Sequence, residues 1–342
     1  MRILAIVTLI FLLAACDQNS QTQQDKETVT IYTHRHYPSD KELYKQFTKE
    51  TGIEVIVRKG KANELIKKIE IEGEKTEADI LITVDVGRLH FAQQKGVLQA
   101  VSSETLTKNV PEHLRHKDGY WYALTKRARV IVHHKDRVKP EELSTYEDLA
   151  SEKWKGKIAI RSSSNVYNQS LLASVIVANG KEKAQSWAKS VVNNMARKPT
   201  GNDRDQVKAV AAGKADLAVV NTYYLGKLLN SDNADEVSAG KAVKIFFPNQ
   251  NDRGTHVNIS GAGVTKHTKN KENAMKLIEF LTGKEAQKTF AQVNYEYPIH
   301  PEVKPSELVA SWGEFKEDKV NLAELGANNK EAVKVFDVVG WK

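Results

Sequence analysis

Apolar and polar positions recur along this chain with two different periods, and the switches between them mark out its elements. Thr28 to Thr33 alternates with the period of two expected of a strand. Ser39 followed by Glu42 is a capping-box pattern that opens a helix, with Leu43 and Phe47 on its inner face and Gly52 as its stop. Ile53 to Val57 is the next strand, and a helix capped at Asn63 carries Leu65, Ile66 and Ile69 before ending near Gly73. Ala78 to Val84 is almost continuously apolar, the pattern of a strand buried on both faces, and a further helix runs up to Gly96. Strand and helix alternate three times, which predicts an α/β unit with a largely parallel sheet.

A second series follows the extended stretch Tyr120 to His134. It holds Lys157 to Arg161 as a strand, Asn168 to Ala178 as a helix, and Asp205 to Ala212 as a helix closed by Gly213. Leu217 to Val220 is a strand that runs into a helix at Thr222. No internal repeat is visible. Two such units predict two lobes with a binding cleft between them. The first is expected to span residues 28–126 plus about 248–300, the second 127–247 plus about 301–342. Arg127 to His133 and Val243 to Phe247 are the long strands expected to cross between lobes and act as the hinge.

The start of the chain concerns address and not fold. Met1 and Arg2 precede an apolar run, Ile3 to Leu13, that is far short of the ~20 residues needed to span a bilayer, so it reads as a signal-peptide core. Leu13-Ala14-Ala15-Cys16 resembles the lipobox of bacterial lipoproteins. That resemblance implies a signal peptide over residues 1–15, a lipidated Cys16, and a polar tether over 16–27. Asp17 resembles a signal for retention at the inner membrane. Cys16 is the only cysteine, which excludes an internal disulfide and a thiolate metal cluster. The net charge of +8 comes from lysines scattered among acids on amphipathic helices, so it reads as solvated helix faces and not as a nucleic-acid surface.

Ligands of open α/β sheets bind beyond the carboxyl ends of the strands. Three segments place aromatic hydroxyls there: Tyr32 to Tyr37, Ser162 to Gln169 with Tyr167, and Asn221 to Tyr224 with Tyr223 and Tyr224. A single tyrosine at such a place usually packs its ring, and a Tyr-Tyr pair usually forms an aromatic platform. Three segments at equivalent positions make a set of hard oxygen donors suited to a small, highly charged cation.

The words Tyr32-Thr33-His34-Arg35-His36-Tyr37, Ala78-Asp79-Ile80-Leu81-Ile82-Thr83-Val84-Asp85, Arg127-Ala128-Arg129-Val130-Ile131, Asn165-Val166-Tyr167-Asn168-Gln169, Asn221-Thr222-Tyr223-Tyr224 and Gly254-Thr255-His256-Val257-Asn258-Ile259-Ser260-Gly261 run in order over nearly the whole chain. In them the sequence resembles the ferric-binding proteins of bacterial iron uptake, in particular the branch that includes the cyanobacterial FutA type. The resemblance implies a two-lobed, type II-like periplasmic-binding-protein fold and ferric iron, with ferrous iron as an option, as transported ligand. It implies an ABC permease with its ATPase as partner, and a monomer in the periplasm tied to a membrane by lipid alone, the inner membrane favoured. Carried over by position, Tyr37, Tyr167, Tyr223 and Tyr224 are the implied iron ligands, His36 an added imidazole, and Arg127 a charge-balancing neighbour. The chain departs from certain relatives in having Lys227 where they have an arginine after the Tyr-Tyr pair.

His36 and Tyr37 are adjacent, so both reach one metal only if the chain turns after the first strand, which Pro38 favours. His34, His133, His134 and His256 lack metal-like spacing, and Asp85 reads as the cap of a helix beginning near Val86. No phosphate loop, nucleophile elbow or HExxH pattern is present, so no catalysis is expected. A polyamine site would want acids beside its aromatics. A small vitamin is an alternative ligand of the same fold, and an anion site stays open through Ser162 to Ser164 and Arg127. An enzyme on the same fold would have to use Asp85 with a nearby histidine.

Overall fold

The computed structural model describes residues 27–35 and 37–342; the expected signal peptide, Cys16, most of its tether and His36 lie outside the described residues. The chain begins with β1 (Thr28–Thr33), α1 (Pro38–Thr51), β2 (Glu54–Lys59), α2 (Ala62–Glu72), β3 (Ile80–Val84), α3 (Val86–Gln94), α4 (Glu104–Asn109) and the long β4 (Tyr122–His134). Then come β5 (Ile158–Ala159), α5 (Val166–Asn179), α6 (Lys181–Asn194), α7 (Asp203–Ala211), β6 (Leu217–Asn221), α8 (Thr222–Leu229), α9 (Ala234–Lys241) and β7 (Val243–Phe246). The last part holds β8 (Val257–Val264), α10 (Lys271–Thr282), α11 (Lys284–Asn294), α12 (Glu307–Ala310), α13 (Leu322–Ala327) and α14 (Asn329–Val339). Among the described residues no helix is long and apolar enough to cross a membrane.

Two sheet regions share β4. Tyr122 to Ala128 lies antiparallel to β8, beyond which come β3, β1 and β2. Arg129 to His133 lies antiparallel to β6, with β5 beyond it, and β7 also pairs with this half. The alternation in β1 works as expected. Val29 and Ile31 pack with Leu43 and Phe47 of α1, while Tyr32 joins Leu65, Ile66 and Ile69 of α2 on the opposite face.

Several expectations need correction. The sheet is mixed and not largely parallel, because β8 enters between β3 and β4, antiparallel to both. Its glycines are what admit it. A Cβ at Gly261 would lie 2.8 Å from the Tyr122 carbonyl oxygen, and one at Gly263 would lie 2.7 Å from that of Tyr120. Helix α1 starts at Pro38, whose missing N–H is harmless in a first turn, and is capped at Tyr37 and not at Ser39. The Asp40 carboxylate, not that of Glu42, accepts from the Tyr37 N–H. Helix α5 starts two residues before Asn168, because the Asn165 side chain accepts from the Tyr167 N–H.

Candidate metal centre

Three strand–helix junctions converge. Tyr37 caps α1 after β1, Tyr167 is the second residue of α5 after β5, and Tyr223 and Tyr224 are the second and third residues of α8 after β6. Helix N-termini carry partial positive charge, which works in favour of an anionic group held there. The Tyr167 and Tyr223 hydroxyl oxygens are 3.3 Å apart. The Tyr37 ring meets the Tyr223 ring edge-on with centroids 6.5 Å apart, and the Tyr223 and Tyr224 rings stack at 4.3 Å. The structure therefore brings all four tyrosines of the sequence reading to one place.

Burial dominates the protonation of three of them. It pushes the phenols of Tyr37, Tyr223 and Tyr224 above their ordinary value. Tyr167 pushes all three the same way, while Arg127 pulls Tyr37 and Tyr223 down and a hydrogen bond with Tyr223 pulls Tyr224 down. These three stay neutral near pH 7 unless a cation displaces their protons. Arg127 is 1 % exposed and donates from Nη1 to Ser260 Oγ at 3.1 Å, yet its Nε and Nη2 have no hydrogen-bond partner among the described residues. Its guanidinium lies 5.6 Å from the Tyr167 ring centroid. A buried guanidinium that faces Glu296 and Asp85, lies over Tyr167 and acts on Tyr37 and Tyr223 is placed to offset phenolate charge.

Other buried groups belong to the site that the sequence reading did not single out. Arg35 donates to Asp40 from Nε, to Thr125 from Nη1 and to Glu296 from Nη2, and stands 4.7 Å over the Tyr37 ring. Burial raises the Glu296 carboxyl, but Arg35 and Arg127 outweigh it and hold it below the usual range. Arg129 donates to Asp203 and Asn221 from Nη1 and to Asn168 from Nη2. It lies 5.8 Å from the Tyr167 ring, and Arg161 lies 5.9 Å from it. One signal was available: Arg127 and Arg129 are two apart on a strand and share its face. Lys227 stands 4.0 Å over the Tyr37 ring and 5.2 Å over the Tyr223 ring, and burial pulls its ammonium down to about 8.

The groups set aside in the sequence have other work. Asp85 caps α3 by accepting from the Gly87 N–H, and it also accepts from Ser170 and Asn258. His133 bonds the Val138 carbonyl, and buried His256 is held neutral, its pKa down at about 3. Ser162 and Ser164 bond each other. Among the described residues no group of three or more His, Cys, Asp or Glu side chains could hold a metal ion. A pocket of about 550 Å³ between α1 and β2 takes in Tyr37 but none of the other three tyrosines, and is a separate feature.

Two sheet regions joined through one long strand, with polar groups gathered at the strand ends, define a two-lobed solute-binding protein. The chain belongs to the bacterial extracellular solute-binding protein family, which it matches over residues 75–312. Iron uptake protein A1 of Synechocystis sp. is 51% identical over 336 residues, 97% of this chain and 93% of that protein. The structure of the FutA protein of Trichodesmium in complex with iron and citrate shares 50% identity, a TM-score of 0.90, 92% of this chain and all of that one. The ferric binding protein of Campylobacter jejuni shares 45% identity and a TM-score of 0.87 over 92% of this chain and all of that one.

Proposed function

We propose that this chain is an extracytoplasmic receptor for ferric iron that closes two lobes around it and hands it to an ABC permease with its ATPase. The observation that carries the reading is the convergence of Tyr37, Tyr167, Tyr223 and Tyr224, with two phenolic oxygens 3.3 Å apart. Ferric iron supplies the charge that removes their protons, because a bound cation inverts local pKa preferences. Four phenolates exceed the charge of one ferric ion by one, and Arg127 balances the excess. His36, next to Tyr37, adds an imidazole. Tyr167, Tyr223 and Tyr224 hold the ion in the open form, and closure about β4 brings Tyr37 and His36 to it. No bond is made or broken in the cargo, so the protein is not an enzyme. Residues 1–15 are removed as a signal peptide, and Cys16 carries the lipid that ties the monomer to the inner membrane.

Close relatives named for iron, at up to 51% identity over nearly the full chain, support this reading. Titration of the tether-free protein with ferric citrate, followed in the visible, tests it. The expected result is a phenolate-to-iron charge-transfer band that saturates at one iron per chain. A protein that stays colourless at every ratio contradicts it. Labelled palmitate enters the wild-type chain but not Cys16→Ser if the anchor is as proposed.

A further inference from the structure

We infer that Gly226 and Tyr295 form the stop that sets how far the two lobes close, and that the missing side chain at Gly226 is what lets Tyr223 and Tyr224 reach Tyr37. The inference rests on the proposed closure, not on the identity of the cargo. Glycine weakens a helix interior relative to alanine, and Gly226 lies buried inside α8 without the left-handed backbone that would call for it. Its reason is steric. A Cβ there would stand 2.6 Å from both Cβ and Cγ of Tyr295 and 2.9 Å from its Cδ2, well inside van der Waals contact.

The partner is equally unusual. Tyr295 ends α11 in left-handed conformation, φ 57 and ψ 27, at a position that glycine or asparagine normally fills. A tyrosine held there is strained, and strain of this kind persists where surrounding contacts enforce it. A glycine where a helix prefers a side chain thus meets a tyrosine where a helix end prefers glycine.

The contact joins the two halves of the tyrosine cluster. Helix α8 carries Tyr223 and Tyr224, and Gly226 is one turn beyond Tyr223 on the same side. Helix α11 packs on α1, which Tyr37 caps. Glu296, next to Tyr295, accepts from Arg35 at 2.9 Å, and Arg35 lies over the Tyr37 ring. A displacement at Gly226 is therefore passed to both sides of the site through two short rigid links. Gly226 and Tyr295 touch no cargo; they are positioning residues.

The test compares wild type, Gly226→Ala, Tyr295→Gly and the double variant, all tether-free. Tyr295→Gly removes the ring and Cβ and suits the left-handed backbone. After loading with ferric citrate, small-angle scattering reads closure and transfer to excess EDTA reads release. Gly226→Ala is expected to keep a visible band from Tyr167, Tyr223 and Tyr224, to stay extended, and to release iron on the order of tenfold faster or more, as overpacking of a tight contact implies. The double variant returns compactness and rate toward wild type. Tyr295→Gly alone keeps its fold and releases iron faster than wild type, since the closed lobes lose a packed ring. Wild-type scattering and release in Gly226→Ala, or no recovery in the double variant, overturns the inference. A wild-type chain that neither colours nor compacts overturns the iron reading instead. Spin labels at positions 67 and 189 of the iron-free chain, read as a full distance distribution, then decide the contact: loss in Gly226→Ala of the shortest-distance population of wild type supports it, and an unchanged distribution overturns it.

Discussion

Beyond β5 and β6, two helix N-termini supply three phenols, whereas beyond β1 the described residues supply one. The charged groups beneath them differ in the same direction. Asp203 accepts from Arg129 at 2.7 Å, from Arg161 at 3.4 Å and from the Asn221 N–H at 2.9 Å, so two cations and a backbone donor share one buried carboxylate. Under Tyr37 the ratio is reversed. Arg35 alone meets both Asp40 and Glu296, each about 3 Å away and each nearly inaccessible. On the proposed reading the three-phenol half is the preformed receptor and the one-phenol half is the closing jaw.

The largest expected effect falls on both halves together and concerns acidity. Tyr37, Tyr223 and Tyr224 have phenols raised by burial, so in the iron-free chain each keeps its proton from about pH 5 to about pH 9. Each proton must leave when ferric iron binds. Affinity therefore falls as pH falls, by about three decades per pH unit for these three protons and without a plateau between about pH 6 and 8. Competition against citrate, corrected for its own protonation, reads the slope; a flat profile contradicts phenolate binding.

The halves separate under single substitutions. Arg35→Met removes the ion-pair partner of two buried carboxylates, leaving Glu296 with Thr125 and Asn294 and Asp40 with Ser39 and the Tyr37 N–H, and is expected to lower stability by about 3 kcal/mol. Arg129→Met leaves Asp203 with Arg161 and a backbone donor, so its loss should be clearly smaller. Urea midpoints of the two variants measure this, and equal losses would erase the comparison. Lys227→Arg has the smallest expected effect. It keeps a cation over the Tyr37 and Tyr223 rings, so iron affinity should shift by less than about tenfold. A larger change would make Lys227 part of the jaw.

What could be read from the sequence was what depends on local pattern. The alternation of β1, the continuous apolar run of β3 and the Gly52 stop all gave elements close to those found. The tyrosine cluster was legible because each phenol follows a strand end, which is a topological signal. The expected strand Lys157 to Arg161 shrinks to Ile158–Ala159, because the Arg161 carbonyl accepts from Asn168 Nδ2 and Trp341 Nε1 in place of a strand partner. Trp341 lies 180 positions along the chain and is invisible to local pattern. The same holds for Glu296, which reaches Arg35 across 261 positions, and for the antiparallel β8, whose glycines weaken its strand pattern.

The most direct test is the ferric affinity and visible band of Tyr37→Phe measured beside those of Tyr223→Phe. Tyr37→Phe should still take one iron per chain and stay coloured, with affinity lower by about tenfold. Tyr223→Phe should lose most of its colour and a hundredfold or more in affinity, beyond the ~10–100-fold cost of losing an outer partner. A colourless Tyr37→Phe beside a coloured, tight-binding Tyr223→Phe would contradict it, and so would two variants indistinguishable from wild type.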